Sequence, residues 1–282
     1  MKIGICSTDF EPSCVEELFR KASGYGFDAM QFSYSSIGMD EIPQEISTEI
    51  TDALCAASRQ YGVEIVAVNA TFNLIDTDRE RLARNIRSID AMCRANQRLG
   101  CRLLTLCTGS RSPESMWAWS PDNASPEAWQ ELACNIRPVV ETARRYEMYL
   151  GVETEASNVV MTPELARRFL DQTGYEKLKI IADCANLFQK GQAHPQYVGP
   201  VIRHAFEQFG CDIVLAHGKD IAESDSILFA PTGQGIVDYD LFLSLLKQHG
   251  YKGPMVLHGI YDEALMAGCA AFMRQKLLAY GM

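Results

Sequence analysis

Four residues with metal-binding side chains end four successive apolar runs in the second half of the chain. They are separated by 30, 34 and 41 residues, and they are Glu153, Asp183, His217 and His258. Each interval is about the length of one strand-helix-strand unit. In a parallel barrel built from such units, the carboxyl ends of all strands meet at one rim. The spacing therefore predicts that these four side chains are neighbours around the barrel mouth.

The chemistry that this set suggests is binding of a divalent cation. Two carboxylates and two imidazoles suit Mn²⁺, Fe²⁺, Co²⁺ or Zn²⁺ and leave positions for substrate oxygens. Mg²⁺ is a poorer match because it prefers oxygen ligands. No two of the ten cysteines form a CxxC pair, so a structural zinc knuckle is not supported. We expect the other histidines, His194, His204 and His249, to be surface residues because no strand end presents them.

The elements that must position this set are eight short apolar runs alternating with eight longer amphipathic segments. Strands are predicted at 2–7, 29–34, 64–69, 103–108, 149–153, 179–183, 213–217 and 254–258, and helices at 15–23, 46–61, 78–99, 126–146, 162–173, 195–209, 239–249 and 262–280. Strands without polar alternation are typical of parallel sheets covered by helices. We therefore predict an α/β fold, a (β/α)₈ barrel that forms one domain over residues 1–282. A doubly wound sheet is the competing interpretation, but its GxGxxG fingerprint is missing.

Composition narrows the classes of function. The chain of 282 residues carries 26 basic and 36 acidic side chains, a net charge of −10, which argues against nucleic acid as a partner. With 47% hydrophobic residues it can form a large core. No apolar run is long enough for a membrane span or a signal peptide, and most cysteines stand in apolar contexts. These features predict a protein of the reducing cytoplasm.

The longest loop, residues 109–123, follows the fourth predicted strand and contains two of the three tryptophans, Trp117 and Trp119, together with Arg111. In a barrel, the loops after the strands form the catalytic face. The loop is therefore a candidate lid or substrate wall, and a packed surface loop is the plainer alternative.

Several motifs together resemble the xylose-isomerase-like TIM barrel superfamily of sugar phosphate isomerases and epimerases. They are Gly151-Val152-Glu153, Asp183 with Asn186, His217-Gly218-Lys219-Asp220, Gly233-Gln234-Gly235-Ile236-Val237-Asp238-Tyr239 and Gly250-Tyr251-Lys252-Gly253-Pro254. The resemblance covers essentially the whole chain. It indicates the fold and the metal site more than the substrate, because the superfamily includes ketose epimerases, sugar isomerases, inosose dehydratases and AP endonucleases.

The resemblance implies that Glu153, Asp183 and His217 are metal ligands, after strands five, six and seven. His258 stands where the family has a fourth ligand, a Glu that in ketose epimerases also acts in proton transfer. Asn186 stands where many members have a substrate-binding His, and Gln31 replaces a common Glu after strand two. These departures change the two-carboxylate mechanism of the family.

The resulting hypothesis is a metal-dependent sugar, sugar phosphate or polyol isomerase or epimerase. A metal that chelates a carbonyl would stabilise the charge formed when an adjacent carbon proton is removed. Glu153 is the predicted base, with His258 or Glu155 as the partner on the opposite face. The predicted substrate contacts are Glu155, Asn186, Lys219, Asp220, Arg111, Trp117, Asn69 and Gln31.

Two alternatives remain at this stage: an inosose-dehydratase-like lyase, and a non-catalytic sugar-binding barrel. The first uses the same proton abstraction followed by loss of a hydroxyl, and the second is suggested by the missing fourth Glu. A DNA-repair function is disfavoured by the net charge and by only five histidines. We expect a small sugar or polyol as the partner, no membrane, and a homo-oligomer as one option.

Overall fold

The computed structural model describes residues 1–282. Eight parallel strands close into a barrel in the order β1-β10-β7-β6-β5-β4-β3-β2. The barrel strands are β1 Ile3–Cys6, β2 Ala29–Phe32, β3 Glu64–Asn69, β4 Leu103–Leu106, β5 Tyr149–Glu153, β6 Leu178–Asp183, β7 Ile213–Gly218 and β10 Met255–Leu257. Between β7 and β10, the short strands β8 Asp220–Ile221 and β9 Phe229–Ala230 form an antiparallel hairpin. The predicted (β/α)₈ barrel is confirmed.

Eight α-helices follow the barrel strands in turn. They are α1 Val15–Gly24, α2 Thr48–Tyr61, α3 Arg79–Leu99, α4 Pro126–Arg145, α5 Pro163–Thr173, α6 Pro195–Phe209, α7 Tyr239–Gln248 and α8 Glu263–Ala279. Local sequence sets their starts: the hydroxyl of Thr162 accepts the backbone N–H of Leu165 at 3.3 Å, and Pro163 is the first helical residue of α5. No helix is both long enough and apolar enough to cross a lipid bilayer.

The barrel interior below the mouth is closed by a small apolar layer. Six buried residues from six different strands form it: Cys6, Ala67, Leu103, Ile181, Leu215 and Val256. Ile181 and Leu215 are register partners, two residues before Asp183 and His217, which are also register partners. Because side chains alternate along a strand, each apolar pair lies on the same face of the sheet as the polar pair above it. The apolar layer therefore lies directly below the polar strand ends and forms the floor of the barrel mouth.

The other faces of the strands pack against the helices. A single cluster of 72 buried apolar residues joins both layers around the barrel. Its members include Ile180 of β6 and Ala216 of β7, which alternate with the inward-facing residues of those strands. The helical layer thus fixes strand positions, and through them the positions of the strand ends.

Candidate metal and substrate site

Three of the four predicted ligand residues converge at the ends of β5, β6 and β7. Glu153 and Asp183 are the last residues of their strands, and His217 is the second-last residue of β7. One ligand atom from each lies within 4.8 Å of the others. The Nδ1 atom of His217 is 3.5 Å from Asp183 Oδ2 and 3.7 Å from Glu153 Oε1. This arrangement is compatible with one shared cation.

The hydrogen bonds of the cluster leave its inward-facing atoms free. Asp183 Oδ1 accepts the backbone N–H groups of Ala185 at 2.8 Å and Asn186 at 3.1 Å, whereas Oδ2 has no hydrogen-bond partner. His217 Nε2 is 2.9 Å from Gln31 Oε1, and since a carbonyl oxygen can only accept, Nε2 carries the proton. In the neutral imidazole the lone pair then lies on the buried Nδ1, which is also unpaired. Two unpaired buried atoms of ligand type are costly unless a cation satisfies them, so the residues fit a divalent ion.

The charges in this cluster influence each other strongly. Burial alone would raise the pKa of Asp183, but the Lys219 ammonium and the His217 imidazole hold that pKa below its usual range. Burial opposes protonation of His217, and the carboxylates of Glu153 and Asp183 overcome this effect and raise its pKa to about 9. The cluster is therefore anionic at its centre and attracts positive charge, either a proton on His217 or a metal ion.

His258 lies beside this cluster and is held by a residue from the opposite end of the sequence. Its Nδ1 atom is 3.2 Å from Asp9 Oδ1, and Asp9 Oδ2 accepts the backbone N–H of Ile260 at 2.8 Å. The imidazole rings of His258 and His217 are 5.7 Å apart between centroids. Unlike the other three residues, His258 is not part of the group of mutually close ligand atoms. The group of mutually close ligand atoms therefore contains three of the four residues expected from spacing, and His258 lies beside it with Nδ1 engaged by Asp9.

A second network joins the cluster to the carboxylate of Glu155. The side-chain amide of Asn186 donates to Glu153 Oε1 at 2.6 Å and to Glu155 Oε2 at 3.0 Å, and its oxygen accepts from Lys219 Nζ at 3.1 Å. The Lys219 ammonium lies 3.3 Å from the ring centroid of Phe229. Burial and the neighbouring Glu153 raise the pKa of Glu155 to about 7. Asn186 therefore connects both carboxylates to the one buried cation of the network.

The cluster opens into a cavity of about 220 Å³ at the barrel mouth. Its wall contains Glu153, His217 and His258 together with further polar side chains: Thr8, Gln31, Ser33, Glu41, Asn69, Thr71 and Thr105. The Asn69 amide donates to Glu41 Oε1 at 2.6 Å and its oxygen accepts from Thr105 at 2.9 Å. The structure thus brings Gln31 and Asn69 to the cavity, where polar side chains surround the candidate cation cluster.

Five of the eight predicted substrate contacts do not line this cavity: Glu155, Asn186 and Lys219 belong to the network just described, and Asp220 and Arg111 lie elsewhere. The carboxylate of Asp220 is buried and accepts the backbone N–H groups of Ile221 at 2.9 Å, Gly233 at 3.0 Å and Val237 at 3.0 Å, so it holds the loop after β7. The guanidinium of Arg111 forms an ion pair with Glu131 of α4. Neither side chain lines the cavity. The Asp220 carboxylate is thus engaged by the backbone, whereas Arg111 pairs with Glu131 through one terminal nitrogen and its buried Nε has no hydrogen-bond partner.

The long loop after β4 contributes one wall. Trp117 lines the cavity, and Trp119 lies in an adjoining groove. The loop is anchored by Asn158, whose amide donates to the carbonyl of Met116 at 2.9 Å and whose oxygen accepts from Gly109 N at 2.7 Å.

Asp9 and Glu41 are the site residues that sequence reasoning missed. Asp9 follows β1 closely, so the strand-end rule that selects the other four residues also applies to it. Glu41 lies in the connection between β2 and α2, nine residues beyond the end of β2, where no periodicity or motif distinguishes it.

Fold and site together define a closed (β/α)₈ barrel with a candidate cation-binding cluster and a polar cavity at its mouth. The family model described as xylose isomerase-like TIM barrel matches residues 19–276. The chain belongs to this family. No curated protein sequence matches the chain.

Solved structures show the same fold at low sequence identity. The chain is similar to 3-keto-D-glucoside 4-epimerase YcjR from E. coli, with 18% identity, a TM-score of 0.73, and coverage of 98% of this chain and 99% of that one. It is similar to a xylose isomerase-like TIM barrel protein from Mycobacterium smegmatis in complex with magnesium, with 15% identity, a TM-score of 0.74, and coverage of 99% and 97%. It also matches a xylose isomerase-like TIM barrel/4-hydroxyphenylpyruvate dioxygenase fusion protein, with 18% identity, a TM-score of 0.69 and 99% of this chain covered, but spans only 42% of that longer chain.

Proposed function

We propose that the protein is a divalent-metal-dependent isomerase or epimerase of a sugar or polyol, acting by proton abstraction next to a carbonyl. The observation that carries the proposal is the buried cluster of Glu153, Asp183 and His217, in which Asp183 Oδ2 and His217 Nδ1 have no hydrogen-bond partner. The similarity to a sugar epimerase fold supports the class of enzyme.

Glu153, Asp183 and His217 are the residues that would hold the ion. A bound divalent cation would supply electrostatic stabilisation of negative charge on the carbonyl oxygen. One imidazole with two carboxylates favours Mn²⁺, Fe²⁺, Co²⁺ or Zn²⁺ over Mg²⁺, although the preference is weaker than for two imidazoles.

Glu153 is the proposed general base. Glu153 lines the cavity, and its Oε1 atom accepts a hydrogen bond from Asn186, so the carboxylate is positioned to take a proton from a bound polyol.

His258 is the proposed acid on another side of the cavity. Around the barrel, β6 and β7 separate the strand of Glu153 from β10, the strand that precedes His258. Because Asp9 engages Nδ1, the His258 Nε2 atom is available to exchange a proton with substrate. Asp9 is a positioning residue in this scheme. Gln31 and Asn69 on the cavity wall would bind hydroxyl groups.

The test combines metal analysis with a substrate screen. The purified protein is stripped with chelator, reloaded with Mn²⁺, Fe²⁺, Co²⁺ or Zn²⁺, and incubated with ketoses and inososes. We expect stoichiometric metal binding and turnover that is lost on chelation. Asp183→Ala should lose both, Glu153→Gln should lose turnover with at least part of the metal retained, and Glu176→Gln, an exposed carboxylate outside the site, serves as control.

Product mass separates the outcomes. An isomer of unchanged mass supports the proposal, whereas loss of one water identifies a lyase of the same site. Ligand-induced stabilisation without conversion of any substrate would instead identify a sugar-binding barrel. Full turnover by Glu153→Gln would remove the base assignment.

A further inference from the structure

A second, larger recess adjoins the candidate active cavity. This recess, the aromatic groove, has a volume of about 820 Å³ and is built by the loops after β4, β5, β6 and β7. Its apolar wall includes Trp117, Trp119, Met161, Ile227 and Phe229. Trp117 lines both the groove and the active cavity, so the two spaces share a wall.

The two tryptophans of the groove are unusually accessible for their size. Trp117 is 55% exposed and Trp119 is 57% exposed, and neither indole packs against another aromatic ring or carries a cation over its face. Large apolar side chains that stay exposed side by side mark binding surfaces more often than folding determinants. Their faces are therefore available to a ligand.

The groove is also linked to the cluster through polar contacts. Glu155 lines the groove, and the Asn186 amide that donates to it also donates to Glu153 in the active cavity. Phe229 forms part of the groove wall and covers the Lys219 ammonium. A molecule extending from the cluster into the groove would pass these residues.

The sizes of the two spaces indicate a substrate with two parts. The active cavity of about 220 Å³ is smaller than the roughly 300–1,000 Å³ of pockets for drug-sized ligands, and it suits a single small polar ring. The groove is larger, and its lining combines large apolar side chains with five polar ones, Glu155, Ser157, Gln189, Lys190 and Ser226. A flat apolar group would bury against the face formed by Met161, Ile227 and Phe229, where a sugar ring would leave hydroxyl groups without hydrogen-bond partners.

We propose that the aromatic groove is a binding subsite for the aryl aglycone of a glycoside whose sugar ring occupies the active cavity. The assignment rests on the proposed function, because it takes the sugar ring to be the reacting part. It adds to the substrate class glycosides that carry an aryl aglycone and a keto group elsewhere on the sugar ring, because the anomeric carbon of a glycoside is not itself a carbonyl.

The three tryptophans of the chain allow a direct test. In ¹⁵N-labelled protein loaded with Mg²⁺ as a diamagnetic ion, each indole N–H gives one resonance, assigned with Trp117→Phe and Trp119→Phe. Trp129 on α4 is only 8% exposed and its indole N–H donates to Gln172, so it is an internal control. Phenyl β-D-glucopyranoside should shift the signals of Trp117 and Trp119 and leave that of Trp129 unchanged.

Affinity gives the second arm. By calorimetry, phenyl β-D-glucopyranoside should bind about tenfold or more tightly than methyl β-D-glucopyranoside, because the phenyl group buries apolar surface. Trp119→Ala should abolish most of this preference without changing affinity for the methyl compound. Tyr197→Ala, an exposed aromatic on α6, should keep the preference.

Several results would overturn the subsite. They are absence of binding by the phenyl compound, equal affinity for both compounds, an undiminished preference in Trp119→Ala, or tighter binding of cellobiose than of the phenyl compound. If light scattering shows a dimer and the Trp119→Ala variant is a monomer, the groove would instead be assigned to a second copy of the chain. Turnover of free ketoses without a phenyl preference would leave the proposed function standing and remove the subsite. A phenyl preference without turnover of any substrate would leave the subsite standing and remove the proposed function.

Discussion

Asp183 Oδ2 and His217 Nδ1 lie 3.5 Å apart on register-paired residues of neighbouring strands, both buried and neither hydrogen-bonded. Each residue uses its other polar atom within the protein, Asp183 through backbone N–H groups and His217 through Gln31. The unpaired atoms therefore result from a specific orientation of both side chains. A cation that binds only the folded state would stabilise the protein by satisfying them.

Gln31 is expected to control cation affinity without touching the ion. Its carbonyl oxygen accepts from His217 Nε2 and so keeps the Nδ1 lone pair directed at the cluster. Gln31→Leu should lower Mn²⁺ affinity about 10- to 100-fold, as is typical when the partner of a ligating histidine is lost. Calorimetric titration measures the change. Gln31→Glu keeps an acceptor for Nε2 and should retain affinity, and equal affinity in Gln31→Leu and the wild type would contradict the orienting role.

Asp9 is expected to affect turnover more than binding. Asp9→Asn keeps the size of the side chain but replaces one of its two acceptor oxygens with an NH₂ group. The carboxylate oxygens of Asp9 contact His258 Nδ1 and the Ile260 N–H, and the amide can accept from only one of them. If His258 transfers a proton, kcat should fall about 100-fold with little change in KM or in bound metal. Asp9→Glu should restore part of the rate. A purely structural role would show itself as a loss of thermal stability with kcat of the folded fraction unchanged.

The positions of the strands and the convergence of three candidate metal ligands could be predicted from sequence because both follow from local rules. Uninterrupted apolar runs identify the strands, and β3 and β5 have the bounds expected from the pattern. The rule that catalytic groups follow strand ends then selects Glu153, Asp183 and His217. By contrast, β8 and β9 have two residues each, too few to produce a periodic pattern.

The partners of the side chains could not be predicted in the same way. Arg111 has the right type and location for a substrate contact, but Glu131 of α4 neutralises it across the loop. Asp220 follows the candidate ligand His217 by three residues in the chain, yet its carboxylate accepts hydrogen bonds from three backbone N–H groups. His258 and Asp9 are 249 positions apart and meet only when β10 pairs with β1. These contacts depend on barrel closure and rotamer choice, which residue spacing does not encode.

Asp212, just before β7, should make stability depend on pH away from the site. Burial opposes its ionisation, but hydrogen bonds from Lys179 and Arg167 hold the pKa of Asp212 below its ordinary value of 3.8. A carboxylate whose pKa is lower in the folded state stabilises that state above the unfolded pKa and loses this effect as pH falls through the folded pKa.

Asp212→Asn should therefore reduce the free energy of unfolding by about 1 kcal/mol at pH 7. The difference from the wild type should shrink below about pH 4, where the unfolded carboxyl group becomes protonated. Urea denaturation at pH 7 and pH 3 measures both values. Asp171→Asn, which removes a more exposed partner of Arg167, should have a smaller effect. A difference that stays constant with pH would mean that the charge of Asp212 is not the cause.

Gly151 should connect packing of the barrel floor to the geometry of the site. A Cβ atom at this position would lie 2.8 Å from Ile181 Cγ1, closer than carbon atoms approach without displacement. Gly151→Ala should destabilise the protein by about 1–3 kcal/mol. Because Gly151 precedes Glu153 by two residues on the same strand face, the displacement should also weaken cation binding.

Gly24→Ala, at the end of α1 with no atom within 4 Å of the added Cβ, is the matched control and should leave stability unchanged or slightly raised. Unfolding curves and Mn²⁺ titrations of both variants measure the two effects, and normal cation affinity in Gly151→Ala would show that the floor adapts without moving Glu153.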